Sequence, residues 1–568
     1  MNRPPRQVAV WISAVGLAMA TSAGVEPAAA GPKGMAAVRH SPLKKGPRVT
    51  PQRRGQSGKG PSRTTTLPRV ATGGAAHEHK IAVLREQLEA ALHESPLAGT
   101  RIGVVAMQAS DGDVLFSHNA DERFNPASNT KMLTTAAAIS RLGGDYRYLC
   151  GLYGTPPDLN GVVSGNLVLR GSADPSLSSA DLVELAEALA ARGITRVRGD
   201  LVVDRRPIGF EGQSDAGLIL NRNAIAVRVR PTEPKHAPAV SMEPATAGIT
   251  IENHATTIKG KKSRLSIDTY RNDDHLVIQV RGRIGDGHGT VTLSKRVADG
   301  ALLAAHTLGA LLPEFGIVVE GRVRAGQEHA GAVELALHRS APLADVSRLS
   351  NKPSNNFVAD AIYKTLGGEL FGLPGTLEKG TRAVSEWLVE HGISKERFKL
   401  VNGSGLTHEN RVTPIDLTRL LRAIYFEPEV APDFLPSLAV AGIDGTIRNR
   451  FHGTPAVGLV RAKTGTLSGV SALSGYVGDK GDVIVFSILV EGFRWKRTPA
   501  IRHAQVRLVE AMLRYLRADA LGESQDANPR PNPDALHEDG IVAPPPPPII
   551  ATPPMEDSED SEADDPAN

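Results

Sequence analysis

The sequence predicts a mixed α+β fold that contains a separate strand-rich part, and three observations support this prediction. Apolar residues recur at three- and four-residue spacing in seven predicted helices, namely 129–142, 181–192, 301–312, 355–366, 380–391, 414–425 and 501–518. Strand patterning predicts six strands, namely 101–107, 166–169, 200–203, 275–280, 472–477 and 483–490. The last two strands flank the turn Gly478–Asp482 and are predicted to form a hairpin. Residues 148–338 are richer in predicted strands than their surroundings, which indicates a separate part of the chain.

The amino terminus has the pattern of a secretory signal peptide. Arg3 and Arg6 precede the apolar run Val8–Ala20, and the small residues Ala28–Ala30 follow it. A charged start, a short apolar run and an A-x-A site are typical of a cleaved signal, so residues 1–30 predict secretion across the inner membrane to the periplasm or cell wall. The alternative, an uncleaved anchor, needs roughly 20 apolar residues. No later segment is long and apolar enough to be predicted as a membrane span.

The imbalance between basic and acidic residues lies mainly at the two ends. Residues 31–77 carry ten Lys and Arg and no Asp or Glu, whereas residues 523–568 carry twelve Asp and Glu and one Arg. Both segments have too few large apolar residues to pack on a core and are predicted to be disordered, one as a basic linker and the other as a proline-rich acidic tail. The linker is either a solvated spacer or a weak ligand of anionic wall polymers or lipid headgroups. The segment between them is nearly neutral, so no nucleic-acid partner is predicted.

The first candidate catalytic element is Ser128-Asn129-Thr130-Lys131, which runs into a predicted helix. Residues three apart at a helix start lie on one face, so the Lys131 amine can reach the Ser128 hydroxyl. A serine needs such a base, because it is barely nucleophilic at its own pKa. The spacing alone is weak: it recurs at Ser41 and Lys44, and a helix-capping serine is the plain alternative.

Two further elements carry polar side chains at structural boundaries. Ser354-Asn355-Asn356 is a polar turn that opens a predicted helix, and a simple helix cap is its alternative. Lys463-Thr464-Gly465-Thr466 contains the only K-T-G of the chain and lies beside the predicted hairpin. A glycine on an edge strand admits a ligand backbone, and a lysine with a hydroxyl suits a carboxylate. A surface strand end is the alternative for this element.

In this order, S-x-x-K, S-x-N and K-T-G form the signature of penicillin-binding proteins and serine β-lactamases. More than two hundred residues separate Lys131 from Ser354, where most relatives have a short stretch. In that respect the sequence resembles the type-4, low-molecular-mass class C penicillin-binding proteins, the D-alanyl-D-alanine carboxypeptidases and endopeptidases of peptidase family S13. Similar segments agree with this, namely Gly171–Leu177, Asn402–Leu406, Gly442–Thr446 and Ser474–Tyr476.

The resemblance covers residues 80–518 and implies a penicillin-binding, serine β-lactamase-like transpeptidase fold. The first part of that domain would be 78–147, its second part 339–522, and the inserted domains 148–338. The implied substrates are peptidoglycan stem peptides, the implied covalent inhibitors are β-lactam antibiotics, and no metal or organic cofactor is implied.

The resemblance also implies a role for each motif residue. Ser128 would attack the carbonyl of the penultimate D-alanine, Lys131 would take its proton, and Ser354 would relay protons toward the leaving amine. The implied substrate-binding residues are Asn356, Lys463, Thr464 and Thr466. Asn356 would bind the peptide group of the substrate, Lys463 would supply a positive charge, and Thr464 would bind the terminal carboxylate. The backbone N–H of Thr466 would form an oxyanion hole with the backbone N–H of Ser128.

Two alternatives belong to other classes. The first is a β-lactamase or esterase on the same fold, although no E-x-x-L-N pattern of class A β-lactamases follows Asn356. The second is a non-enzymatic peptidoglycan-binding protein, which the intact motif residues argue against. One segment departs from the family pattern Asp-Gly-Ser-Gly-Leu-Ser-Arg: it reads Asn-Gly-Ser-Gly-Leu-Thr-His over Asn402–His408, which affects the expected side-chain specificity.

Overall fold

The computed structural model of the chain describes most of the residues between the two charged ends. The described ranges are 74–204, 217–244, 246, 248–272, 275–297, 299–327, 331–479 and 481–523. The predicted signal peptide, residues 31–73 of the predicted linker and residues 524–568 of the predicted tail lie outside them.

The described residues contain α-helices whose apolar faces pack on sheets. They are α1 (Gly74–His93), α2 (Thr130–Leu142), α3 (Ser179–Ala191), α4 (Gly300–Leu311), α5 (Leu343–Asn351), α6 (Asn356–Phe371), α7 (Leu377–Glu390), α8 (Pro414–Tyr425), α9 (Ala431–Phe434) and α10 (Thr498–Glu523). None of the helices in the described ranges combines the length and the apolar character that crossing a bilayer requires.

The strands alternate with these helices along the chain. They are β1 (Arg101–Gln108), β2 (Val114–His118), β3 (Leu149–Gly154), β4 (Val162–Val163), β5 (Leu167–Gly171), β6 (Arg196–Val197), β7 (Leu201–Asp204), β8 (Ala224–Arg230), β9 (Ala239–Glu243), β10 (Ile249–Ile258), β11 (Ser263–Asn272), β12 (His275–Gly285), β13 (Val291–Arg296), β14 (Val318–Val319), β15 (Val323–Gly326), β16 (Val333–Arg339), β17 (Ala439–Val440), β18 (Val460–Leu467), β19 (Val470–Asp479) and β20 (Asp482–Glu491).

The central sheet joins the two ends of the described chain in the order β17-β18-β19-β20-β1-β2. Its strands β19 and β20 are the predicted hairpin, paired antiparallel from Val470 with Glu491 to Asp479 with Asp482. Neighbouring residues of a strand point to opposite faces, so Leu473 packs with α1 and α10 on one side. Ala472 packs with α2, α6, α7 and α8 on the other. The result is a sheet covered by helices on both faces, which confirms the mixed α+β prediction.

The chain between β3 and β16 forms four smaller sheets. One has five strands in the order β15-β7-β5-β3-β16, and three have three strands each, in the orders β10-β12-β11, β13-β8-β9 and β14-β6-β4. Helices α3 and α4 and the inward faces of these strands share one apolar core, which includes the buried thiol residue Cys150. The strand-rich composition predicted for this part of the chain is therefore observed.

All seven predicted helices and all six predicted strands are present, with shifted ends. Helix α7 begins three residues earlier than predicted, because the Thr376 hydroxyl accepts a hydrogen bond from the Lys379 N–H and caps it. Helix α1 was not predicted; it begins at Gly74, inside the segment 31–77 that was predicted as a linker. Helix α5 was not predicted either. At the other end, α10 extends one residue into the predicted tail, to Glu523.

Candidate active site

The predicted nucleophile lies in a short 3₁₀ turn that leads directly into α2. This turn spans Ala127–Asn129. Ala127 has a φ of 45°, a left-handed conformation that is strained for a residue with a Cβ. Side chains hold it there: the Asn125 amide oxygen accepts from the Ala127 N–H at 2.7 Å, and the Thr130 hydroxyl donates to the Ala127 carbonyl at 2.9 Å. The fold thus fixes the backbone immediately before Ser128.

Lys131 lies in the first turn of α2 and is completely buried. Its Nζ atom is 3.0 Å from Ser128 Oγ, 2.6 Å from Asn356 Oδ1 and 2.6 Å from the Ser404 carbonyl oxygen. An ammonium group has three donors, and here three acceptors surround it. The structure therefore brings together the predicted nucleophile, the predicted base and the predicted substrate-binding asparagine.

Burial lowers the pKa of Lys131 from 10.5 to about 7, and the negative charge of Asp360 partly opposes this shift. Desolvation disfavours the charged form of a lysine. Near neutral pH a substantial fraction of the amine is consequently neutral and can accept a proton. A base with a pKa close to the working pH is the most effective kind.

The second lysine of the site, Lys463 on β18, is also completely buried. Its Nζ atom donates to Ser354 Oγ at 2.8 Å and to the Thr464 carbonyl at 2.9 Å. Burial, followed by the charge of Lys131, lowers the pKa of Lys463 well below its ordinary value. Ser354 has a left-handed φ of 62° just before α6. The predicted proton relay therefore lies in direct contact with the lysine of K-T-G.

The K-T-G strand lies against the nucleophile turn because Gly465 has no side chain. A Cβ at this position would be 2.7 Å from the Pro126 carbonyl oxygen and 2.9 Å from Ala127 Cβ. Strand β18 pairs with β19 along one edge. Along its other edge it pairs with β17, and only at Arg461 and Ala462. Among the described strands, the part of β18 that carries K-T-G thus has one edge without a strand partner, where an extended peptide can lie.

Two threonines, Thr464 and Thr466, carry hydroxyl groups on this part of β18. The Thr464 hydroxyl is 2.7 Å from that of Thr446, and the exposed Thr466 hydroxyl accepts a hydrogen bond from Arg502 at 2.9 Å. Residues two apart on a strand share a face, so Thr464 and Thr466 present their side chains to the same side.

Asp360, a partly buried acid one helical turn after Asn356, was not predicted from the sequence. Its Oδ1 atom accepts from the Gly403 N–H at 3.0 Å and from the Ser404 N–H at 2.8 Å. It therefore fixes the backbone of Ser404, the residue whose carbonyl accepts from Lys131. Its burial raises the pKa of Asp360, and the adjacent Lys131 charge opposes that shift. An acid on the same face of an apolar helix as Asn356 was the available signal.

The segment around Ser404 also supports the nucleophile turn. Gly405 has a φ of 77°, and a Cβ on it would be 1.9 Å from the Ala127 carbonyl oxygen. Gly405 and Gly465 thus both approach the turn that holds Ser128, and neither tolerates a side chain. Sequence analysis noted the glycines around Ser404 only as part of a resemblance.

One group of side chains in the described ranges has ligand atoms close enough for a metal, and it lies apart from these motifs, on α3 and β16. It consists of Asp181, Glu184 and His338. The two carboxylates face different ring nitrogens of His338, Glu184 at 3.0 Å from Nδ1 and Asp181 at 3.7 Å from Nε2. This is the geometry of an imidazole between two acids, not of three ligands aimed at one ion.

Comparison with known proteins assigns the family. The model of the D-Ala-D-Ala carboxypeptidase 3 (S13) family matches residues 84–512, which include all three motifs. The chain belongs to this family. A D-alanyl-D-alanine carboxypeptidase of Actinomadura sp. (strain R39) is 34% identical to this S13 peptidase over 465 residues, covering 76% of this chain and 85% of the relative.

Relatives from Haemophilus influenzae agree in sequence and in structure. Its D-alanyl-D-alanine carboxypeptidase DacB is 26% identical over 433 residues, covering 71% of this chain and 89% of that protein. A crystal structure of penicillin binding protein 4 from the same organism, complexed with a β-lactam, has a TM-score of 0.62 at 25% identity and covers 76% of this chain and 99% of its own. The chain is thus an S13 carboxypeptidase with a penicillin-binding-protein fold, as the resemblance implied.

Proposed function

We propose that the chain hydrolyses the bond between the two terminal D-alanines of peptidoglycan stem peptides through an acyl-enzyme on Ser128. The observation that carries this proposal is the 3.0 Å contact between Ser128 Oγ and the buried Nζ of Lys131. The pKa of Lys131, lowered by burial to about 7, makes that amine a proton acceptor near neutral pH. Family membership supplies the substrate class.

In the first step Ser128 Oγ bonds to the carbonyl carbon of the penultimate D-alanine, and its proton passes to Lys131 Nζ. The carbon–nitrogen bond then breaks, and the proton that Lys131 has taken up passes through Ser354 to the leaving amine of the last D-alanine, which leaves Lys131 neutral. Lys463 contacts Ser354 at 2.8 Å. In the second step water attacks the ester carbonyl, gives a proton to Lys131 and releases the shortened peptide. As the ester bond to Ser128 Oγ breaks, that proton passes from Lys131 to Ser128 Oγ, which restores the hydroxyl and the neutral amine for the next cycle.

Backbone and side-chain donors would hold the reacting peptide. The N–H groups of Ser128 and Thr466 are proposed to stabilise the oxyanion, and Asn356 to bind the peptide group while it holds Lys131. Thr464 and Lys463 are proposed to bind the terminal carboxylate. An incoming carboxylate would favour the charged form of Lys463, whose pKa burial otherwise lowers.

β-Lactam antibiotics would follow the same first step and stop there. The lactam carbonyl acylates Ser128, the ring opens, and the ester blocks the site. A crystal structure of the Haemophilus influenzae relative contains a β-lactam. For the present chain, covalent inhibition is a proposal that rests on the same serine and base.

The cellular setting is proposed from the sequence. The signal-peptide pattern of residues 1–30 supports secretion across the inner membrane to the periplasm or cell wall, where peptidoglycan lies. Residues 78–147 and 339–522 are proposed to form the penicillin-binding domain around the inserted residues 148–338. The ten basic residues of 31–77 are proposed to attach weakly to anionic wall polymers or lipid headgroups.

Two measurements test the function. Purified protein incubated with defined muropeptides should release D-alanine from pentapeptides, detected by mass spectrometry, and cleavage of cross-linked dimers in the same digest reports endopeptidase action. Fluorescent penicillin should label the wild type covalently and leave Ser128→Ala unlabelled. Equal labelling of both proteins would contradict the assignment of Ser128. Rapid release of hydrolysed penicillin in place of a stable adduct would indicate a β-lactamase.

A further inference from the structure

An arginine of helix α10 reaches the end of the K-T-G strand. Arg502 Nη2 donates to the Thr466 hydroxyl at 2.9 Å, and both side chains are exposed. Thr466 shares a face of β18 with Thr464. A hydroxyl that accepts from a guanidinium keeps its own hydrogen available for a further acceptor. Arg502 therefore adds a positive charge beside the hydroxyls that line this edge of the proposed substrate site.

The helical turn that carries Arg502 is anchored by buried groups. Gln505, completely buried, accepts from the Ser471 hydroxyl at 3.2 Å, and Ser471 lies directly opposite Thr466 in the ladder between β18 and β19. Arg450 donates to the Arg502 carbonyl at 3.0 Å and to Gln505 Oε1 at 2.8 Å. These bonds fix the Arg502 backbone relative to Thr466, which keeps the guanidinium within reach of the Thr466 hydroxyl.

The positive charge at this place has no acidic partner within the described residues. The contacts of Arg450 and Arg502 there are to hydroxyl, carbonyl and amide oxygens, none of them a carboxylate. Arg450 Nε is buried without a hydrogen-bond partner. Burial, and then the nearby charge of Arg502, lower the pKa of Arg450 to about 10. Two adjacent guanidinium groups without an acid form a local surplus of positive charge that an anion would stabilise.

We propose that Arg502 is a specificity-determining residue, which selects acyl donors whose leaving group carries a carboxylate. Its guanidinium would bind this carboxylate together with the Thr464 and Thr466 hydroxyls. A guanidinium presents a planar pair of donors that matches a carboxylate. This inference rests on the proposed function. The new element is a preference for leaving groups that carry a carboxylate over leaving groups in which that carboxylate is an amide.

The test uses two thioesters of one N-acyl-D-alanine, with mercaptoacetate or mercaptoacetamide as the leaving group. In both, Ser128 Oγ would displace the thiol and water would hydrolyse the ester, so the two substrates differ only in one negative charge. The wild type should prefer the mercaptoacetate in kcat/KM. Arg502→Ala should lower kcat/KM for that substrate about tenfold to a hundredfold, the range for a lost hydrogen bond to a charged group, and change the amide substrate less than twofold.

Two further variants separate charge from structure. Arg502→Lys should restore part of the preference, because it keeps the charge and loses the planar pair of donors. Arg507→Ala is the matched control, since Arg507 lies on the same helix and contacts Glu94 at 3.5 Å. It should leave both substrates within twofold of the wild type. Unfolding temperatures of all variants should agree.

The outcomes distinguish this inference from the proposed function. If wild-type protein cleaves neither thioester and releases no D-alanine from a pentapeptide, the proposed function is wrong. If it cleaves both but Arg502→Ala keeps the wild-type ratio of the two kcat/KM values, or lowers both equally, Arg502 does not select the leaving group. An effect of Arg507→Ala as large as that of Arg502→Ala would overturn the inference as well.

Discussion

The chemistry depends on how the fold places one amine. Lys131 is a lysine without a direct carboxylate contact among the described residues: its Nζ faces a hydroxyl, an amide oxygen and a carbonyl. These acceptors satisfy its hydrogen atoms without the full charge stabilisation that a contacting carboxylate would give. Burial can then lower the pKa of Lys131 to about 7 while Asp360, acting through space, limits the shift.

Replacement of Lys131 tests this role. Lys131→Ala should lower the acylation rate of fluorescent penicillin by a factor on the order of 10² to 10⁴, the range for a positioned base. In the wild type the rate should rise with pH through about 7, because deprotonation creates the neutral base, and the variant should lack this rise. Lys399→Ala, which removes an exposed lysine that pairs with Glu409, serves as control. A variant that keeps the wild-type rate would assign the base elsewhere.

Asp360 gives a second prediction at this scale. Asp360→Asn keeps an Oδ1 atom that can accept from the Gly403 and Ser404 N–H groups but removes the negative charge. That charge raises the pKa of Lys131, so its loss should lower this pKa further and move the rise in acylation rate to lower pH. The measurement is acylation rate against pH for both proteins. An unchanged midpoint would mean that Asp360 is uncharged in the folded protein.

At the scale of the elements, close backbone approaches assemble the site. The nucleophile turn lies between β18 and the Gly403–Gly405 segment, and both come near it through glycines. A similar approach occurs where α6 continues beyond its predicted end at Leu366. A Cβ on Gly367 would be 2.4 Å from the Gly380 backbone nitrogen of α7. Packing of α7 thus requires the glycine that weakens the helical pattern.

Gly465→Ala tests the approach of β18 to the nucleophile turn. The new Cβ would lie 2.7 Å from the Pro126 carbonyl oxygen, so strand and turn must separate. We expect acylation to fall by about 10²-fold, the effect of a misplaced reacting group, and unfolding free energy to fall by about 1–3 kcal/mol from overpacking. Gly289→Ala is the control, because a Cβ there meets no atom within 4 Å. Wild-type acylation in Gly465→Ala would show that the contact is not needed.

At the scale of the whole molecule, the first and last described helices complete the fold. Leu84, Leu88 and Leu92 of α1 lie in the same apolar core as Leu508 and Met512 of α10, on one face of the central sheet. A protein cut at residue 78 would lose the first turn of α1, so a truncated protein should begin at Gly74.

A protein truncated to residues 74–523 should therefore fold and hydrolyse a soluble D-alanyl-D-alanine peptide within about threefold of the full chain. None of the motif residues lies outside this range, and the removed segments lack the apolar content to pack on a core. Binding of the full chain to sacculi should weaken with added salt, because salt screens the attraction between the basic residues of 31–77 and an anionic wall beyond about 8–10 Å. After truncation, binding to sacculi should depend less on salt. A folded truncated protein with a more than tenfold loss of peptide turnover would place a removed segment in the active site.

Local patterns in the sequence were enough to predict most of the elements and the candidate site residues. The spacing of Ser128 and Lys131, the polar turn at Ser354 and the single K-T-G indicated the candidate side chains, and periodicity predicted the main helices and strands. These are properties of neighbours along the chain, which helical and strand geometry convert directly into positions. Motif order and the long separation between Lys131 and Ser354 indicated the family.

Only the tertiary structure decided the contacts that cross these elements. Asp360 and Arg502 belong to no motif seen in the sequence, and Ser404 was noted only within a segment that resembles a family pattern. In the structure the Ser404 carbonyl accepts from Lys131, Asp360 holds the Ser404 backbone, and Arg502 contacts β18. Their importance for the site depends on the distances between atoms, on burial, and on the lack of a carboxylate beside Arg502 among the described residues. The pKa of Lys131 is decided in the same way, because desolvation is a property of everything packed around the amine and of no single neighbour in sequence.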